Sequence, residues 1–147
     1  MYSKARLTIS FCLIGLFLFL DQWLKWQALH DWQNPHLLNN FFGWQPSLNP
    51  GVAFNIPLPG ILIIFFTIPI IFILIFLFFK YTNFLSRIAL LLIIFGALSN
   101  LFDRIYYQNT VDYFLILTAI INMADMMIVG GFILYLISQT TQPRQSL

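Results

Sequence analysis

The sequence predicts an all-α membrane protein: a four-transmembrane-helix bundle with a small extracytoplasmic loop or strand platform between spans one and two. Three observations lead there. Of 147 residues, 60% are hydrophobic and only 8% are charged, where a soluble domain carries about a quarter. Four apolar segments approach the roughly 20 residues that a spanning helix needs. All five acidic residues are aspartates, and Asp21, Asp103 and Asp125 lie within those segments.

The first span is placed at about residues 7–28. Its apolar run is too long for a signal-peptide core, and Asp21-Gln-Trp-Leu-Lys25 follows it instead of a small-residue cleavage site, so it is expected to be retained. The connection over about 29–59 is rich in Asn, Pro and aromatics, among them Trp32, Phe41, Phe42, Trp44 and Phe54, which suits a membrane interface. Pro46, Pro50, Pro57 and Gly51 break any helical period there, so short strands or an irregular platform are expected. Spans two and three follow at about 60–79 and 88–105, and Pro69 should only kink the former. A fourth apolar run from Phe114 to about Ser138 closes the chain, which reads as one domain over 1–147 without internal repeats. Lys4, Arg6, Lys80, Arg87 and Arg144 cluster on one side, against Lys25 and Arg104 near the other, which predicts cytoplasmic termini.

Composition also narrows the chemistry. A formal charge of +2, with 7 Lys and Arg, excludes a polybasic nucleic-acid binder. Cys12 stands alone, which removes disulfide frameworks and cysteine-based zinc sites. His30 and His36 lack the spacing of a metalloprotease helix, so a metal enzyme is not expected.

The depth of the carboxylates is more informative. At ~1.5 Å per helical residue, Asp21 lies about 22 Å beyond Arg6, Asp103 about 24 Å beyond Arg87 and Asp125 about 21 Å before Gln139. All three therefore reach one level in the outer part of a hydrocarbon core about 30 Å thick, and Asn100 and Asn122 join them. A charge at mid-membrane costs about 2.5–3.5 kcal/mol, so a layer of three aspartates in so small a bundle points to function. Asp21 and Lys25 can also pair at i,i+4, and Asn side chains can simply bridge helices.

With no Ser-His or Cys-His pair to supply a nucleophile, hydrolysis would fall to two carboxylates sharing a proton and a water. One would act as base while its protonated neighbour polarises the scissile carbonyl. Asp103 and Asp112 compete to partner Asp125. Asp103 has Arg104 beside it as a local cation, whereas Asp112 has none and lies ahead of span four, where a helix N-terminus would stabilise a carboxylate. Two non-hydrolytic readings stand alongside: a small proton- or ion-coupled carrier, which would want midplane polar groups and repeats, and a non-catalytic scaffold, which would need no clustered acids.

Four segments carry a family pattern: Asp21-Gln-Trp-Leu-Lys25; Asn49-Pro-Gly-Val-Ala-Phe54; Gly96-Ala-Leu-Ser-Asn100-Leu-Phe-Asp103-Arg104 with Val111-Asp112-Tyr-Phe114; and Asn122-Met-Ala-Asp125. In order and spacing they resemble lipoprotein signal peptidase, the signal peptidase II family, which shows D-Q-x-x-K, N-x-G-x-A-F, G-A-x-x-N-x-x-D-R with V-D-F, and N-x-A-D on four spans. The resemblance implies an intramembrane aspartyl endopeptidase of the bacterial inner membrane. Such an enzyme removes the signal peptide of diacylglyceryl-modified prolipoproteins by cutting before the lipidated cysteine, at a site toward the outer face. It implies no cofactor, and a monomer working on lipidated prolipoproteins among membrane lipids is expected. Carried onto this chain, the catalytic pair is Asp112 and Asp125, with Asp21, Lys25, Asn49, Gly51, Asn100, Asp103, Arg104, Asn122 and Ala124 binding substrate or supporting the pair.

The chain departs from the family at Leu24, Asn55, Phe95 and Ser99, and most of all in the thirteen residues from Asp112 to Asp125, a shorter stretch than usual. An unbroken helix would hold those carboxylates about 20 Å apart. The chain must turn back between them, so span four is expected over about 118–138.

Overall fold

A computed structural model describes residues 4–51 and 58–140. Among the described residues, four helices are long and apolar enough to cross a membrane: α1 (Lys4–Leu29), α2 (Gly60–Lys80), α3 (Phe84–Tyr106) and α4 (Met123–Thr140). Val52 to Pro57, with Phe54 and Asn55, and Arg144 lie outside the described residues.

Helix α3 is the centre of the bundle. Asn83 caps it, its side chain accepting from the Leu85 N–H at 2.8 Å, which starts the helix before the expected residue 88. Its tight neighbour is α4. A Cβ on Gly96 would come within 2.6 Å of the Ala124 carbonyl, and one on Gly131 within 2.8 Å of the Ala89 carbonyl, so both positions need glycine to let the backbones approach. Helix α2 is mostly exposed, with Phe65, Phe72 and Phe76 outward, as a lipid-facing helix should be. In α1, Asp21, Lys25 and Ala28 fall on one buried face at i, i+4 and i+7.

Among the described residues, four antiparallel strands form one sheet in the order β1-β2-β3-β4. Strands β1 (His36–Asn39) and β2 (Phe42–Asn49) come from the connection between α1 and α2, where strands were expected. Strands β3 (Thr110–Ile116) and β4 (Ala119–Ile121) come from the connection between α3 and α4, which the apolar run had concealed. Phe114 pairs with Ile121 and Ile116 with Ala119, so the chain reverses at Leu117, whose φ of 58° is left-handed. Because residues 119–121 are drawn into this hairpin, the fourth helix begins at Met123 and not near Thr118.

Strand β2 pairs with β3 from Phe42↔Ile116 to Asn49↔Thr110 and carries an irregularity between Trp44 and Ser47. Pro46, which has no N–H to donate, sits in that irregularity. Beyond it, Ser47 stands opposite Asp112. The sheet thereby brings the end of β2 to the acid-bearing part of β3.

Candidate active site

Lys25, 1% exposed, anchors a buried ion cluster by reaching Asp21 at 2.8 Å and Asp103 at 2.7 Å, both acids fully buried. Its Nζ also donates to Ser99 Oγ at 3.1 Å and Asn100 Oδ1 at 3.0 Å. Asp103 further accepts from Gln22 Nε2 at 3.1 Å and from the Val111 N–H at 3.2 Å. The expected partnership of Asp103 with Arg104 is therefore corrected. Neighbours in a helix point about 100° apart, and Lys25 arrives from the facing helix. A carboxylate so fully engaged ties α1 to α3.

Asp21 does a second task. Its Oδ1 accepts from the Ala124 N–H at 3.2 Å and the Tyr113 hydroxyl at 2.8 Å, so a span-one carboxylate sits at the N-terminus of α4. The start of that helix is completed by a reciprocal cap. Asn122 Oδ1 accepts from the Asp125 N–H at 2.8 Å, and Asp125 Oδ2 accepts from the Asn122 N–H at 3.3 Å. Asn122, and not Asp112, is thus the capping residue of this helix.

The same Asn122 links the two remaining acids. With its oxygen held by a backbone N–H, its amide nitrogen must face the other way, where it donates to Asp112 Oδ1 at 2.7 Å and to Asn100 Oδ1 at 3.2 Å. Asn100 in turn donates to Asp125 Oδ1 at 2.8 Å, its own orientation set by Lys25, which can only donate. Asp112 Oδ2 accepts from Asn49 Nδ2 at 3.1 Å. Asn49 is held by accepting from the Gly51 N–H at 2.9 Å, and the Gly51 carbonyl accepts from Arg104 Nη2 at 2.6 Å. Arg104 Nη1 is buried without a hydrogen-bond partner among the described residues.

Asp112 is only 3% exposed, and it lies outside the membrane-crossing helices. Burial above all, and then the charge of Asp125, push its carboxyl up to about 7, against the opposing bonds from Asn49 and Asn122. Near neutrality it can therefore hold a proton, while Asp125, in the first turn of α4, accepts from Asn100 Nδ2 and from the Asn122 N–H. Paired carboxylates set up in this way can exchange protons with a water and with an amide. Among the described residues no group of three His, Cys, Asp or Glu side chains is placed to hold a metal ion.

All eleven residues singled out in the sequence, Asp21, Lys25, Asn49, Gly51, Asn100, Asp103, Arg104, Asn122, Ala124, Asp112 and Asp125, belong to this one connected array. Three contributors were not among the candidate site residues, although all three lie within the quoted segments. Gln22 and Ser99 complete the ion cluster, and Tyr113 reaches it from β3. Gln22 stands at the glutamine of D-Q-x-x-K, three residues before Lys25 on the same helix, and that is the signal that could have found it.

A four-helix membrane bundle with a buried carboxylate pair beside a small sheet is the class that fold and site define. The family model of signal peptidase (SPase) II matches residues 13–141, and the chain belongs to that family. It is 35% identical over 128 residues to the lipoprotein signal peptidase of Clostridium novyi (strain NT), covering 78% of this chain and 86% of that one. To the lipoprotein signal peptidase of Borrelia turicatae (strain 91E135) it is 31% identical over 164 residues, covering 98% and 96%. In fold it is similar to a bacterial membrane enzyme solved by the in meso method at 2.3 Å, with a TM-score of 0.82 at 23% identity, covering 95% of this chain and 94% of that one. Membership makes it a multi-pass membrane hydrolase of lipoprotein signal-peptide processing, which displaces the carrier and scaffold readings.

Proposed function

We propose that the chain is an aspartyl endopeptidase acting on diacylglyceryl-modified prolipoproteins, with Asp112 and Asp125 as its catalytic pair and the bond before the lipidated cysteine as its target. The observation that carries this reading is the Asn122 side chain, bonded to Asp112 at 2.7 Å and to the backbone of Asp125 at 2.8 Å, which brings the two acids to one place. Asp125, ionised, takes a proton from the attacking water. Asp112, protonated, donates to the carbonyl oxygen as the tetrahedral intermediate forms. The proton gained by Asp125 then passes to the leaving nitrogen as the C–N bond breaks, while ionised Asp112 takes a proton back from a hydroxyl of the collapsing intermediate. Arg104 offers its unpartnered Nη1 to a substrate backbone carbonyl.

In this reading both termini are cytoplasmic, the site faces the outer leaflet of the bacterial inner membrane, and the chain works as a monomer among membrane lipids. The exposed Trp32, Phe41 and Phe42 of the platform then rest at the interface. A prolipoprotein carries its cleavage bond at that depth, so the bilayer supplies much of the positioning and the substrate enters laterally between helices. Purified protein in lipid bilayers, given a diacylglyceryl-modified prolipoprotein, should yield a product whose first residue by mass analysis is the lipidated cysteine. Cleavage at another bond, or of the unlipidated precursor equally well, contradicts the proposal.

A further inference from the structure

Tyr113 is fully buried, takes no part in the chemistry above, and follows one of the two proposed catalytic acids in sequence. Successive strand residues point to opposite faces, so Asp112 turns to the Asn49 and Asn122 side while Tyr113 turns to α1. Its ring is held there by stacking on Trp44, with centroids 5.1 Å apart at 29°, and by the edge of Phe114 at 4.7 Å. The hydroxyl donates to Asp21 Oδ1 at 2.8 Å and accepts from the Met123 N–H at 3.0 Å. Burial and the neighbouring Asp21 push the phenol up, which keeps the donating proton in place.

The first N–H groups of a helix have no partner within it. In α4 those of Met123, Ala124 and Asp125 go to Tyr113, Asp21 and Asn122 respectively. Only the Tyr113 bond ties the helix start to the side chain next to Asp112. The connection it spans includes the left-handed Leu117, and across it the other side-chain tie between β3 and the start of α4 is Asn122, which donates to the Val111 carbonyl at 3.3 Å and to Asp112 on the opposite face of the strand.

We propose that Tyr113 is a positioning residue: its hydroxyl bolts β3, which carries Asp112, to the first turn of α4, which carries Asp125, and so sets, together with Asn122, the spacing of the two acids. This rests on reading those acids as the catalytic pair.

The test uses the full chain in lipid bilayers, with turnover expressed per folded molecule. Tyr113→Phe keeps the ring and removes the bolt. Its kcat should fall about 10- to 100-fold with KM within about twofold, because a misplacement of about 1 Å costs on that order. A purely structural hydroxyl would lower the folded fraction and leave kcat of the folded molecules unchanged, and that result overturns the inference. Should Tyr113→Phe fail to accumulate, 4-aminophenylalanine at position 113 retains donation to Asp21 but accepts poorly from Met123. A similar loss of kcat supports the bolt, and wild-type kcat overturns it. Asp112→Asn, run in parallel, separates the two readings: if it is inactive while Tyr113→Phe is unimpaired, only the bolt falls, and if it is active, the pair and the bolt fall together.

Discussion

Asn122 and Asp125 cap one another across the first turn of α4, each side chain accepting from the other's backbone N–H, at 2.8 and 3.3 Å. The N-x-A-D segment is thus a capping box whose acidic member is also a proposed catalytic group. Its Asn keeps a free amide to reach Asp112 at 2.7 Å. One local motif therefore starts the helix, orients Asp125 and fixes the distance to β3.

Replacing Asn122 by Ala separates these roles. Loss of a cap costs about 1 kcal/mol of stability, which a folded membrane protein should survive. Turnover should fall about 100-fold or more, since Asp112 loses a donor, the Asp125 N–H loses its acceptor, and the two acids lose their mutual placement. Thermal unfolding in detergent beside a cleavage assay measures the two effects. A loss of stability with turnover intact would make Asn122 a cap alone.

Gly96→Ala should act at a distance from the reacting atoms. Its Cβ would lie 2.6 Å from the Ala124 carbonyl and 2.8 Å from Ile128 Cγ1, so α4 must move away from α3 at the turn bearing Asp125. Overpacking of this kind costs about 1–3 kcal/mol. Turnover is expected to drop at least about tenfold while substrate capture changes little, which steady-state kinetics can separate.

Lys25→Met should be the most damaging change to folding. It leaves Asp21 and Asp103 buried with no cation, and breaking such a pair costs about 3–5 kcal/mol. Adding Asp103→Asn to Lys25→Met restores the balance of buried charge and should recover much of the membrane abundance. Equal abundance of the single variant and wild type would contradict this account of the cluster.

The pH dependence follows from Asp112, whose carboxyl is lifted to about 7 from an ordinary 3.8 by burial and then by Asp125. As the proton donor it must be protonated, so kcat/KM should decline as pH rises through about 7. The native state also keeps this proton to higher pH than the unfolded chain does. Its contribution to stability is therefore greatest below about pH 4 and is lost between there and about 7, and Asp112→Asn should flatten that slope. A pH–rate profile that keeps climbing to pH 9 would exclude Asp112 as the donor.

Much of this arrangement is legible in the residues, and the parts that are not have physical reasons. The spans stand out because lipid-facing helices such as α2 need apolar residues all round, and the aspartates stand out against them. Strands β3 and β4 do not: Thr110 to Tyr113 are buried on both faces, so the alternation that marks a strand is lost, and the apolar run continues into α4 without a glycine or proline. The pairing of Lys25 with Asp103 joins residues far apart in the chain, and Arg104 is the nearer cation in sequence only. Tyr113 reads as an apolar strand residue until its hydroxyl is seen between Asp21 and Met123.

The central claim is that Asp112 and Asp125 act as one catalytic unit. Asp112→Asn, Asp125→Asn and the double variant, each purified in equal folded amount in lipid bilayers, should be compared for turnover of a diacylglyceryl-modified prolipoprotein. Each single variant should lose about as much activity as the pair together, because groups that act as a unit are not additive. Wild-type-like turnover from either single variant, or losses that simply multiply in the double, would contradict the claim.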